Sequence, residues 1–243
     1  MIRSVALSLA VLSAGLSLAR AQDLTLTGRI DLVRARSSAS LPDPSNVVVW
    51  LTPLNGSAPT QGGHGNASTP HAQLVQANKR FDPRVLAVPV GTAVEFPNRD
   101  PFFHNVFSLF AGKRFDLGLY EAGGTRLVHF NRPGVSYIFC NIHPEMSAVV
   151  VALDTPYHAI SDKTGRIMIS GVPSGRYQMQ VWSELVSPEA LQGLTREVTV
   201  SEGGSSLGTI RVVEGEPPPR SHKNKYGRDY DRPSPPSPIY DQK

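Results

Sequence analysis

The sequence predicts an all-β protein built from two small sandwiches, on three observations. Glycine and proline each number 21 among 243 residues, a turn-rich composition. Short apolar runs recur between turn signals, and some alternate cleanly: Tyr177, Met179 and Val181 face one way, Arg176, Gln178 and Gln180 the other. No long amphipathic helical stretch interrupts them; Ser187 to Leu194 offers a turn or two of helix at most.

In chain order, residues 1–21 read as a secretory signal peptide. Arg3 precedes the apolar stretch Ser4 to Leu18, too short and serine-rich for a bilayer span, and Ala19-Arg20-Ala21 fits a cleavage site. The rival reading is an uncleaved anchor. No other stretch is long enough to cross a bilayer, so the expectation is a periplasmic or secreted protein without stable membrane insertion. Loss of Arg3 and Arg20 takes the net charge from +4 to +2, too little to make a basic patch, so nucleic acid is not an expected partner.

Leu24 to Val33 and Val47 to Leu51 are predicted strands. Residues 55–70 form a polar linker rich in Gly, Ser, Thr and Pro, with sequons at Asn55 and Asn66 that short polar loops produce by chance. Residues 71–153 alternate short strands and turns. Val85 to Val90 and Ala93 to Phe96, around Gly91-Thr92, read as a hairpin. His104 to Phe110, Arg126 to Phe130, Ser136 to Cys140 and Ser147 to Leu153 follow as strands. Tyr137 and Phe139 point opposite to Ile138 and Cys140, and Val149-Val150-Val151 leaves no polar face. Strands apolar on both sides are covered on both sides. Residues 154–213 supply further turns at Asp162 to Gly165 and Gly171 to Gly175, with strands around them. Residues 214–243, proline-rich and charged, read as a disordered tail.

The one cysteine, Cys140, cannot pair within the chain. In an exported protein it is a buried inert thiol, an intermolecular bridge or a metal ligand. Its neighbours favour the last. Cys140-Asn141-Ile142-His143-Pro144-Glu145-Met146 places thiolate, imidazole and thioether in one loop between two strands. A His₂Cys set with a weak axial methionine is the blue-copper arrangement, and His104, before Asn105-Val106, is the candidate for the second imidazole. Zinc is the chief rival for Cys and two His, but zinc sites seldom recruit methionine. Of the other histidines, His64 and His71 sit in or beside the linker, where a solvated loop is the plainer reading and recruitment of extra copper the rival; His129 lies on a strand, and His158 and His222 have no ligand-like neighbours in sequence.

At these residues the chain resembles the cupredoxins, in particular the amicyanin and plastocyanin-like members of the methylamine-utilisation type. The match covers His71 to Leu153 and includes Phe81-Asp82-Pro83, Val90 to Val94, His104-Asn105-Val106, Gly134 and the Cys140 to Met146 loop. The resemblance implies a Greek-key sandwich holding one type 1 copper through His104, Cys140, His143 and Met146, with Asn105 tethering the ligand loops. It also implies one-electron transfer with a partner such as a c-type cytochrome or a periplasmic dehydrogenase, docking near Phe102, Phe103, Pro144 and Glu145. Two positions depart from the pattern: Ser136 replaces an aromatic residue, and Glu145 an apolar one.

Residues 154–213 resemble the carboxypeptidase regulatory-like domain, a transthyretin-like sandwich, through Asp162-x-x-Gly165 and Val172-Pro173-x-Gly175-x-Tyr177. The opening strands of that domain are missing there and stand at 22–54 instead. The expectation is a discontinuous sandwich, 22–54 plus 154–213, with the cupredoxin inserted; the rival is an N-terminal extension of the cupredoxin. An electron carrier, not an enzyme, is expected, because copper enzymes wire a second centre through a His beside the ligand Cys, and Phe139 and Asn141 stand there. The alternatives are copper delivery, for which four methionines form no tract, and a non-catalytic interaction module.

Overall fold

The computed structural model describes residues 23–34, 43–55, 72–109, 112–204, 206–215 and 222–230; the signal segment, nearly all of the linker, His64 and His71 lie outside them. Short runs with alternating or continuous apolar residues give β1 (Leu24–Arg34), β2 (Val48–Pro53), β3 (Ala72–Gln73), β4 (Val75–Ala77), β5 (Arg80–Asp82) and β6 (Val85–Pro89). Then come β7 (Thr92–Pro97), β8 (His104–Ser108), β9 (Phe115–Tyr120), β10 (Thr125–Phe130), β11 (Gly134–Cys140) and β12 (Ser147–Leu153). The chain continues through β13 (His158–Ile160), β14 (Arg166–Val172), β15 (Gly175–Trp182), the short helix α1 (Pro188–Gly193), β16 (Arg196–Val200) and β17 (Ser206–Glu214). Ser187 caps α1, its side chain accepting from Ala190 N. Among the described residues no helix is long and apolar enough to cross a membrane.

Four of the five sheets stack in two pairs, and β4-β5 forms a separate two-stranded sheet. Order β14-β1-β17 packs on β13-β2-β15-β16, and order β6-β12-β11-β8-β9 packs on β10-β7-β3. Strands from both ends of the chain thus build the first sandwich: β1 lies between β14 and β17, and β2 between β13 and β15. Residues 72–153 leave and return at one place, where Thr155 Oγ1 donates to Leu51 O at 2.8 Å. The Asp162-x-x-Gly165 turn has a steric reason. Gly165 sits at φ 78° with its carbonyl accepting from Ile30 N at 2.7 Å, and a Cβ there would strike the Ile30 carbonyl.

Each sandwich has its own core, Ile30, Leu51, Ile169 and Met179 in one, Phe96, Val106, Ile138 and Val150 in the other. A third apolar cluster joins them. Along β2, Val49 and Leu51 face the first core, while Val48 and Trp50 face outward onto Val149, Val151 and Leu153 of β12, with Trp182 beside them. The double-sided apolar pattern of β11 and β12 therefore corresponds to cover on both faces.

The hairpin expected over 85–96 does not form. β6 pairs in parallel with β12, while β7 crosses to the other sheet and pairs with β10. Gly91, at φ 92°, turns the chain between the sheets. The disorder expected over 214–243 fails for residues 222–230, which are folded against the 140–146 loop; residues 216–221 and 231–243 lie outside the described residues.

Candidate metal centre

His104 opens β8 and Cys140 closes the neighbouring β11, with Cys140 opposite Val106. This places imidazole and thiol at the same end of one sheet. The following loop closes on itself: Cys140 N donates to Met146 O (3.1 Å) and Met146 N to His143 O (3.0 Å). It is tied to β8 where Asn141 N donates to Asn105 O at 2.9 Å. His104 Nδ1 lies 3.5 Å from Cys140 Sγ, and His143 Nδ1 lies 3.4 Å from it. Among the described residues this is the one cluster of His, Cys, Asp and Glu suited to a metal ion, its donor atoms all within 4.8 Å of one another. His104, Cys140 and Met146 are buried and His143 is half-buried.

Asp100 orients His104. Its carboxylate accepts from His104 Nε2 at 2.9 Å, which leaves the Nδ1 lone pair facing the sulfur. The carboxylate is itself held by the β4–β5 turn. Asn78 and Lys79 sit at positive φ (54° and 55°), and their N–H groups donate to Asp100 at 2.6 and 3.0 Å. Burial pushes the Asp100 carboxyl up, but the Lys79, His104 and Asn78 donors outweigh it and hold it below the ordinary carboxylate value.

Burial pushes the Cys140 thiol up, against smaller opposing effects of backbone groups at Asn105, Ile142 and His143. Burial, followed by the charges of His104 and Lys79, pushes His143 down. Neutral imidazole is the ligand form, and a buried thiolate needs a cation beside it. Two imidazole nitrogens and a sulfur converging in a dry site therefore fit a thiophilic metal ion. Copper, were it the ion held there, would supply one-electron redox chemistry.

Around the donors, Phe102 is half-buried with its ring 5.4 Å from His104 and 5.6 Å from His143. Phe103 is 52% and Ile142 44% exposed, Pro144 is half-buried and Glu145 is exposed. Asn105 spans the loops through its backbone carbonyl. Its side-chain Nδ2 instead donates to Asp116 Oδ1 at 2.7 Å. Ser136 is buried and accepts from Lys113 N at 2.8 Å.

Sequence reasoning missed Asp100, whose spacing four residues before His104 was the available signal, and it missed Asp116. It also placed His222 away from the site. The His222 ring lies with its centroid 4.3 Å from that of Phe139, and the His222 backbone N–H donates to Pro144 O at 3.1 Å.

No protein-family model matches the chain, and no curated protein matches it. Solved structures that align with it include cupredoxins. A purple cupredoxin from Nitrosopumilus maritimus aligns at 28% identity over 34% of this chain and 99% of its own, with a TM-score of 0.31. A reduced mutant of amicyanin aligns at 22% identity over 35% of this chain and 86% of its own, with a TM-score of 0.33. A copper-containing nitrite reductase from Thermus scotoductus aligns at 22% identity, TM-score 0.34, over 50% of this chain but only 28% of its own.

Proposed function

We propose that this protein is an exported type 1 copper protein that carries single electrons. The observation that carries this reading is the convergence of donor atoms of His104, Cys140 and His143 within 4.8 Å of one another, with the Phe102 ring packed against both imidazoles. Met146, buried and hydrogen-bonded through its backbone to Cys140, stands as the weak fourth ligand. One copper is held per chain. A donor set that is both soft and imidazole-rich accommodates either oxidation state, and the rigid frame around it keeps rearrangement small.

Electrons pass through the His143 edge, where Phe103, Ile142 and Pro144 make an apolar rim suited to brief docking. The partner is a redox protein such as a c-type cytochrome or a periplasmic dehydrogenase, with Glu145 steering a basic one. The role is transfer, not catalysis.

Titration with Cu(II) tests this. One equivalent should produce intense visible thiolate-to-copper absorption that bleaches reversibly on reduction and is absent from Cys140→Ser. A colourless wild type, or a coloured Cys140→Ser, rejects the assignment. Recovery from an oxidising compartment with Gln22 as first residue tests export.

A further inference from the structure

We propose that the C-terminal segment His222–Tyr230 is a working part of the metal site, a strap that locks the ligand loop to the strand carrying His104, with Lys225 as its central positioning residue. The proposal rests on the reading of residues 140–146 as a metal-ligand loop. Three hydrogen bonds fasten the strap along that loop: Tyr230 Oη to Cys140 O (2.8 Å), Lys225 N to Asn141 Oδ1 (2.8 Å) and His222 N to Pro144 O (3.1 Å).

Lys225 also reaches the other ligand strand. Its Nζ pairs with Asp116 Oδ2 at 2.7 Å, and Asp116 Oδ1 accepts from Asn105 Nδ2 at 2.7 Å, one residue from His104. A single residue therefore joins the loop bearing Cys140 and His143 to the strand bearing His104. The side chain of Lys225 is only 24% exposed, unlike the 65% of Lys223.

The strap holds its own turn. Asn224 Oδ1 accepts from both Tyr226 N and Arg228 N at 3.0 Å, and Gly227 takes φ 74° to close the turn. Its aromatic residues cover what the first sandwich leaves open. Phe139 shares a face of β11 with Tyr137, which packs in the cluster between the sandwiches; over Phe139 lies His222, and Tyr230 stands edge-on to that ring at 5.5 Å.

A loop held from outside keeps its donors in place whether or not metal is bound, and its loss of order on metal release is suppressed. The test compares the full chain, a chain ending at Gly215, Lys225→Met, Lys225→Arg and Tyr230→Phe. In metal-free protein, the amides of Cys140, Asn141 and Met146 should exchange roughly tenfold faster without the strap, about 1.4 kcal/mol of local opening. Amides of β14 and β15 should be unchanged. In copper-loaded protein, release to a chelator should accelerate by a similar factor and the thiolate-to-copper band should shift. Lys225→Met should reproduce much of both effects, and Lys225→Arg should restore the wild-type values. Equal amide exchange with an unshifted band in the Gly215-ended chain and in Lys225→Met would overturn the strap. A full chain that takes up no copper rejects the metal reading, while the exchange comparison in metal-free protein still decides for or against the strap.

Discussion

Asp100→Asn is the sharpest single perturbation of the centre, because it keeps volume and removes charge. The carboxylate is 5% exposed and accepts from His104 Nε2, Asn78 N and Lys79 N at 2.9, 2.6 and 3.0 Å. Asparagine offers one acceptor oxygen and turns an amine toward at least one of those donors. Hydrogen bonds to a charged group contribute about 1.5–3 kcal/mol each, and a buried donor left unpaired costs about 1–3 kcal/mol. The metal-free variant should therefore lose about 2–3 kcal/mol in urea unfolding, and losing the group that orients His104 should weaken copper binding about 10–100-fold in chelator competition. The pH dependence has a defined sign. The folded carboxyl titrates below its unfolded value of 3.8, so its stabilisation is complete above that value and is lost as pH falls through the folded one. The gap between wild type and variant should be flat from neutral pH to about 5 and close below about 4. A variant within about 0.5 kcal/mol of wild type at neutral pH, with unchanged copper affinity, would refute this account of Asp100.

Other outcomes follow from the packing. Residues 154–213 alone should not unfold cooperatively, since β1 and β2 are the inner strands of both their sheets; residues 72–153 should fold and bind copper, while exposing Val149, Val151 and Leu153 and self-associating in ultracentrifugation. Trp182→Ala, at the seam between sandwiches, should cost about 3–5 kcal/mol in denaturant unfolding. Burial pushes His158 below its ordinary 6.5, so stability from its neutral form is full above that value and declines as pH falls below it; His158→Gln should flatten the fall of the thermal midpoint between pH 7 and 5. Glu145→Lys should slow electron exchange with a basic cytochrome at low salt only, as stopped-flow mixing across ionic strength would show.

The 140–146 loop was legible because thiol, imidazole and thioether fall within seven consecutive residues, and the structure brings Cys140 and His143 together with His104. The seam between the sandwiches was legible for a similar reason: β11 and β12 are apolar on both faces, and that pattern demands two covers. The 85–96 segment misled because Gly91-Thr92 looks like a hairpin turn. Pairing partners are set by distant strands, and β6 finds β12 while β7 finds β10. β9 escaped notice because Gly118, at φ 68°, breaks its alternation beside an irregular register with β8. The tail failed on averaging. Prolines and charges dominate its composition, but a few residues carry a self-closing turn and the donors that match the carbonyls of the loop.

The parallel pairing of β1 with β17 also gives the molecule a mechanical character. The first and last strands among the described residues run side by side from Thr27 opposite Ser206 to Arg34 opposite Glu214. Tension applied to the two ends of the chain pulls these neighbours past each other, loading their rungs together instead of unzipping them singly. The strap, lying beyond β17, comes under load before that clamp and peels from its end. Until it peels, the strap passes that load into the 140–146 loop through Cys140 O, Asn141 Oδ1 and Pro144 O; once it has peeled, residues 104–146 lie behind the clamp, outside the line of force.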